Sequence, residues 1–162
     1  MDYRYLLLLG GNLGDVRGAF ATAIDMLENL GHVACVSALY GSHAWGFEAD
    51  EPFTNQVVEL VSNLAPLDML DNTQHIERSL GRTEKSSGGV YHSRPIDIDL
   101  LYCNSMVVSS PRLTLPHPRL HLRRFTLVPL AEKWPLWQHP LLSLSSQQLL
   151  SQCPDKGEVW ML

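Results

Sequence analysis

This chain of 162 residues has little cysteine. Its three cysteines, Cys35, Cys103 and Cys153, are odd in number, far apart and in no CxxC pair. That excludes a disulfide framework and a cysteine zinc module, and suits reduced thiols. Long apolar runs are missing too. None approaches the ~20 residues that cross a bilayer, and the first residues do not follow a signal-peptide pattern. The expectation is a cytoplasmic protein with no membrane partner. Excess basic charge is also absent: the net charge is −5 and the pI about 5.7, so bulk nucleic-acid binding is not expected. There is no P-loop. The glycine-rich stretch GGNLGD at 10–15 lacks the Gly-Lys-Ser/Thr ending and the full GxGxxG spacing, so any nucleotide is held another way. Repeats and low-complexity segments are absent. The length fits one domain, 1–162, with enough chain to bury a core.

What is present is concentrated in one segment. Arg94-Pro95-Ile96-Asp97-Ile98-Asp99-Leu100-Leu101 alternates apolar and acidic residues at the period of a β-strand. Ile96, Ile98 and Leu100 face one way. Asp97 and Asp99 face the other, with Cβ atoms roughly 6–7 Å apart. Aspartate is a poor strand former. A pair of carboxylates on one strand face suits hard cations such as Mg²⁺ held together with phosphates. The bland alternative is an exposed face paired with basic side chains. Residues 78–124 hold seven of the nine arginines plus Lys85, against three acids. That segment is +5 and the rest of the chain −10. Arginine favours bidentate phosphate contacts, so two metal-type carboxylates among arginines read as a polyphosphate site. The competing reading is a solvated basic face.

The pattern predicts a strand at 3–9, a helix at 15–30 stopped by Gly31, and strand-like residues at 33–40. A loop is expected over 41–52, a strand at 53–61 and a helix from Pro66 to Leu80. Residues 82–93 (RTEKSSGGVYHS) predict a mobile loop. After the acidic strand, Asn104-Ser105 could turn a hairpin into 106–108. Residues 111–117 are Pro-bounded and extended. Helical material follows over 118–133, with Pro129 breaking or kinking it. The last 25 residues predict one short helix, 145–152, and a frayed end. The irregular interleaving of strands and helices predicts an α+β fold, a mainly antiparallel sheet covered by helices.

Lesser motifs carry two readings each. GGNLGD could cradle a phosphate at a helix N-terminus or form a structural turn. His117 and His121 stand four apart, but Pro118 intervenes and no third zinc ligand has motif spacing. Either could donate to a phosphate. Phe53 and Asn55 share a strand face, suited to a flat heterocycle or to a core ring beside a capping amide. Gln74 and Glu77 form an ordinary polar helix face if read alone.

Together these pieces resemble the 6-hydroxymethyl-7,8-dihydropterin pyrophosphokinase family of folate biosynthesis. The matching residues are Gly10 and Asn12 after the first strand, Phe53 and Asn55, and QHIERSLGR from Gln74 to Arg82. RPIDIDLLY and LPHPRLHLRRFTLVPL complete the set. The resemblance spans roughly residues 3–135. It implies an α+β fold of ferredoxin-like, three-layer α/β/α arrangement, with a mostly antiparallel sheet between helices. It implies transfer of the pyrophosphoryl group of ATP to the pterin hydroxymethyl, releasing AMP. ATP and the pterin would be the partners, with no nucleic acid, and the chain a monomer.

The resemblance also assigns residues. Asp97 and Asp99 match carboxylates that hold two Mg²⁺, Asp97 also bordering the pterin. Phe53 and Phe125 match the aromatic pair that sandwiches the pterin, and Asn55 the residue that reads its edge. Ser42, His43 and Trp45 lie where the family lines that pocket. Arg82, Arg94, His117 and Arg123 match phosphate-binding positions, Arg82 and Arg94 counting with the aspartates as catalytic. Leu70, Gln74, Glu77, Ile98, Arg112 and Thr114 match positions around the nucleotide. Three departures stand out. Glu84, in the loop lid, replaces a second arginine, Tyr91 replaces a common tryptophan, and Gly11 replaces a frequent serine. Two other classes stay open: a catalytically weakened pterin- or ATP-binding paralogue, and a ferredoxin-like nucleic-acid binding module.

Overall fold

A computed structural model describes residues 2–44, 51–81 and 96–162. Strand β1 (Tyr3–Gly11) runs through the centre of the sheet. Its five leucine and tyrosine residues from Tyr5 to Leu9 are buried, so neither face meets bulk water there. Helix α1 (Val16–Glu28) follows. Asp15 caps it by accepting from Gly18 N at 3.0 Å. Then come β2 (His32–Val36), β3 (Tyr40–Ser42), β4 (Phe53–Ser62), α2 (Pro66–Ser79) and β5 (Asp97–Cys103). Short strands β6 (Val108–Ser109) and β7 (Thr114–Leu115) pair with each other. A 3₁₀ turn at Leu120–Leu122, helices α3 (Arg124–Lys133) and α4 (Ser146–Gln152), and strand β8 (Val159–Met161) end the chain.

The main sheet has the order β5-β1-β4-β3-β8, with β2 beside β4, and every described pairing is antiparallel. Helices α1 and α2 cover one face: Phe20, Ala23, Leu27, Met69 and Ile76 pack on Tyr5, Leu7, Leu9, Val58 and Leu60. Helices α3 and α4 cover the other, where Leu127, Leu130 and Leu149 pack on Leu6, Leu8, Val57 and Leu101. The α+β class and the layered arrangement are as the sequence predicts. Among the described residues no helix is long and apolar enough to cross a membrane.

Five local expectations need correction. The strand expected over 33–40 is two strands. Between them Ser37 bonds Val57 through both its N–H and its hydroxyl, so the side chain replaces part of the ladder. Residues 41 and 42, expected as loop, join Tyr40 in β3. Asn104 does turn the chain, at φ 50°, but β6 pairs β7 rather than β5. The helical stretch at 118–133 divides at Arg123, whose extended backbone starts α3, and α3 runs through Pro129 unbroken. The expected frayed end is instead β8, paired with β3. The expected loop at 82–93 lies outside the described residues, as do Arg82, Glu84, Tyr91, Arg94 and Trp45.

Candidate active site

The register of three strands builds the site. Gly10 of β1 stands opposite Asn55 of β4 on one side and Asp97 of β5 on the other. Opposed residues in an antiparallel sheet share a face, so Asn55, Gly10 and Asp97 make one cross-sheet row. One row further, Val57, Leu8 and Asp99 are aligned in the same way. Asp97 and Asp99 therefore share a face, as the alternation predicts, and both are partly buried. Gly10 contributes no side chain between its two polar neighbours. A Cβ placed there would come within 3.6 Å of Asn55 Oδ1. The glycine keeps the row open over the strand backbone.

The same face changes character along its length. Toward Leu6 it is core, and toward Gly10 it is polar. A β-bulge between Leu6 and Leu7 marks the change in β5 pairing. It places Leu101 and Tyr102 in the same apolar cluster although they are sequence neighbours. The Leu101 carbonyl accepts from His117 N at 2.9 Å, which fixes the LPHP segment beside the aspartates.

His117 is tuned by that placement. Its Nδ1 accepts from Arg119 N at 3.1 Å, which puts the ring proton on Nε2. Burial, together with Arg123 and Arg119, lowers its pKa to about 4, and Asp97 opposes this. At neutral pH the ring is an uncharged donor, next to a carboxylate and arginines. The Arg123 guanidinium lies 5.6 Å from the centre of the Phe125 ring. Phe125 is partly buried against the apolar cluster under α3.

The pterin-side candidates gather on β3 and β4. Asn55 is buried, and its Nδ2 donates to Ser42 Oγ at 2.8 Å, which orients the amide. Phe53 lies opposite Ser42, two residues from Asn55, on the same face. His43 is exposed, its ring 5.2 Å from that of Trp160. Tyr40 donates to Glu132 of α3 at 2.7 Å, and Glu132 also accepts from Ala38 N at 3.0 Å. Burial and that bond push the Tyr40 hydroxyl up to about 12.

The nucleotide-side candidates gather on α2 and beside β5. Leu70, Gln74 and Glu77 follow one stripe of α2. Glu77 is buried and its Oε2 accepts from Ile98 N at 2.7 Å, tying the helix to the strand that carries both aspartates. Arg112 is held to α2 by Asp71 at 2.5 Å. Thr114 is exposed on β7. Sequence reasoning does not single out the row position of Gly10, or Glu132 and Asp155 as partners of the site elements. Spacing carries no signal for contacts between segments so far apart.

The donor set fits Mg²⁺. Among the described residues no group of three or more His, Cys, Asp or Glu gathers as a metal site. Two hard carboxylates would supply part of an octahedron, with phosphate oxygens and water supplying the rest. That is how this ion is usually held.

Comparison with known proteins shows the family. The family model described as 7,8-dihydro-6-hydroxymethylpterin-pyrophosphokinase (HPPK) matches residues 6–135. A 2-amino-4-hydroxy-6-hydroxymethyldihydropteridine pyrophosphokinase of Porphyromonas gingivalis is 50% identical over 136 residues, covering 83% of this chain and 92% of that protein. One of Pseudomonas aeruginosa is 38% identical over 160 residues, covering 97% and 96%. The fold is similar to that of a Plasmodium falciparum HPPK-DHPS solved with STZ-DHP, at TM-score 0.75 and 15% identity. That similarity covers 94% of this chain and 43% of the Plasmodium chain. The chain belongs to the 7,8-dihydro-6-hydroxymethylpterin-pyrophosphokinase family.

Proposed function

We infer that the chain transfers the pyrophosphoryl group of ATP to the hydroxymethyl of 6-hydroxymethyl-7,8-dihydropterin, releasing AMP. It is an ATP-dependent transferase of folate biosynthesis. The observation that carries the residue assignment is the Asn55–Gly10–Asp97 row. It sets a heterocycle-reading amide and a metal-type carboxylate on one sheet face, with a gap between them that no side chain fills.

In this reading the pterin lies over Gly10, stacked between Phe53 and Phe125, with its edge on Asn55. The Ser42 bond holds the amide in one orientation. The hydroxymethyl oxygen gives up its proton to water and attacks the β-phosphorus, the bond from that phosphorus to the α–β bridging oxygen breaks, and AMP leaves with that oxygen. Asp97 and Asp99 would hold two Mg²⁺, which when bound neutralise phosphate charge and make the hydroxyl easier to deprotonate. His117 donates through Nε2–H to a phosphate oxygen, and Arg123 adds charge. Arg82 and Arg94 are proposed for the same task. Glu77 sets the position of the aspartate strand through Ile98 N. Such transfer depends mostly on positioning and charge neutralisation.

The test is incubation with ATP, Mg²⁺ and hydroxymethyldihydropterin. Stoichiometric AMP and pterin diphosphate are expected. ADP as the nucleotide product, or no turnover in folded protein, would contradict the reading.

A further inference from the structure

Residues 136–162 lie beyond the span that the family model matches. Two of their contacts reach the elements assigned to the pterin. Helix α3 begins at Arg124 with no capping bond from the side chain of Arg123. Asp155 supplies one from the far end of the chain. Its Oδ2 accepts from Arg124 N at 3.0 Å, while Oδ1 accepts from Gly157 N at 2.8 Å. The carboxylate thus joins the first turn of α3 to the segment leading into β8. Arg123 and Phe125 flank the bonded amide.

The second contact is at β3. Val159, Trp160 and Met161 pair with Ser42, Gly41 and Tyr40, and Leu162 N donates to Leu39 O at 2.9 Å. The Trp160 indole lies so close to Gly41 that a Cβ there would meet it at 2.4 Å. Residues 155–162 therefore span from the turn that carries Phe125 to the strand that carries Ser42, the partner of Asn55.

We propose that Asp155 is a positioning residue for pyrophosphoryl transfer: it fixes the α3 turn bearing Arg123 and Phe125 against the pterin strand. This rests on the assignment of those two residues above. A helix whose first amides lack a cap frays at its first turn. Fraying there would move the stacking ring and the phosphate arginine together. The carboxylate also suits the positive end of the helix.

The experiment measures pterin affinity by calorimetry, and kcat and KM for both substrates, in Asp155→Ala, Asp155→Asn, Leu149→Ala and Phe125→Ala. Leu149 is buried in the apolar cluster under α3 and α4 and makes neither the Asp155 bond nor the β3–β8 pairing, so Leu149→Ala reports the effect of lost core packing. Asp155→Ala is expected to weaken pterin binding and lower kcat/KM about five- to tenfold. Asp155→Asn keeps one accepting oxygen and should recover to within about threefold of the unsubstituted protein. At a matched loss in Tm, Leu149→Ala should stay within about twofold. Should Asp155→Ala fail to fold, Asp155→Ser takes its place in the same comparison. The proposal is overturned if the Asp155 variants bind and turn over normally while Phe125→Ala is defective. It is also overturned if Leu149→Ala loses as much affinity as Asp155→Ala. Normal pterin binding by Phe125→Ala would overturn the underlying assignment as well.

Discussion

The two faces of the central sheet are made from the same strands and do different work. On the face under α1 and α2, Leu7, Leu9, Val58, Ile98 and Leu100 form apolar core from end to end. On the face under α3, Leu6, Leu8 and Val57 are core, but the next positions are Gly10, Asn55, Asp97 and Asp99. Chemistry and folding are separated by one residue of register. In β5, Ile98 and Leu100 pack in the core under α1 and α2, Asp97 and Asp99 lie on the other face, and past the bulge Leu101 and Cys103 are buried as well. A one-residue slip would exchange the two sets. In the proposed reading the first face gives stiffness to the second, where the carboxylates would be held at a fixed spacing.

The sharpest way to break this comparison is to change the reacting face alone. Asp97→Ala and Asp99→Ala are each expected to slow transfer by about a thousandfold or more, because charge at the phosphates goes unanswered. Pterin binding should survive. Rapid-quench AMP formation measures the first and calorimetry the second. Near-normal turnover at saturating Mg²⁺ would remove the metal role from these residues.

The opposite face should show the reverse pattern. Leu7→Ala is expected to cost about 2–5 kcal/mol of stability in urea unfolding, from lost burial and the cavity left behind. The kcat of the protein that remains folded should change little. A large fall in kcat at full folding would mean that the faces are coupled more tightly than their register implies.

Phe125 sits where the two roles meet, partly in the core and partly at the site. Phe125→Ala should weaken pterin binding by about 1–3 kcal/mol through lost stacking and desolvation. ATP binding should change far less. Equal losses for both ligands would make Phe125 a core residue on which the whole site leans.

The smallest expected effect concerns acid. Burial and His121 lower the His139 pKa, and its Nδ1 accepts from Leu141 N and Leu142 N at 3.2 and 3.1 Å. His117 is lowered to about 4. Both rings take up protons more readily when the chain unfolds. Their contribution to stability is complete above the ordinary value of about 6.5 and is lost as pH falls from there toward 4. The urea midpoint should therefore drop between pH 7 and pH 5. His139→Gln, whose amide oxygen can still accept, should flatten that drop. An unchanged slope would assign the whole effect to other groups.

Much of this contrast is legible in the sequence because alternation reports faces directly. Ile96, Ile98 and Leu100 against Asp97 and Asp99 give both faces of β5 from the order of residues alone. The bulge at Leu101 is not legible, since it arises from pairing with β1 and leaves no mark on period. The break at Ser37 is hidden for the same reason: a hydroxyl that can replace a ladder bond resembles any strand serine. Strand β8 reads as a frayed end because three residues carry too little pattern, and their partner Tyr40–Ser42 is itself only three long. Asp155 reaches Arg124 across 31 residues. Only the fold brings them together.

The central proposal is that the aspartates serve metal and phosphate. Thermal unfolding of the Asp97→Ala/Asp99→Ala double variant tests it most directly. The scan is run alone, with Mg²⁺, and with Mg²⁺ plus a non-hydrolysable ATP analogue. Without ligand the double variant should stay folded, since Ile96, Ile98 and Leu100 beside the aspartates remain in the core. The Mg²⁺-dependent rise that the analogue gives the unsubstituted chain should be absent. A double variant that is strongly destabilised without ligand, or that keeps the full Mg²⁺-dependent rise, would contradict the account.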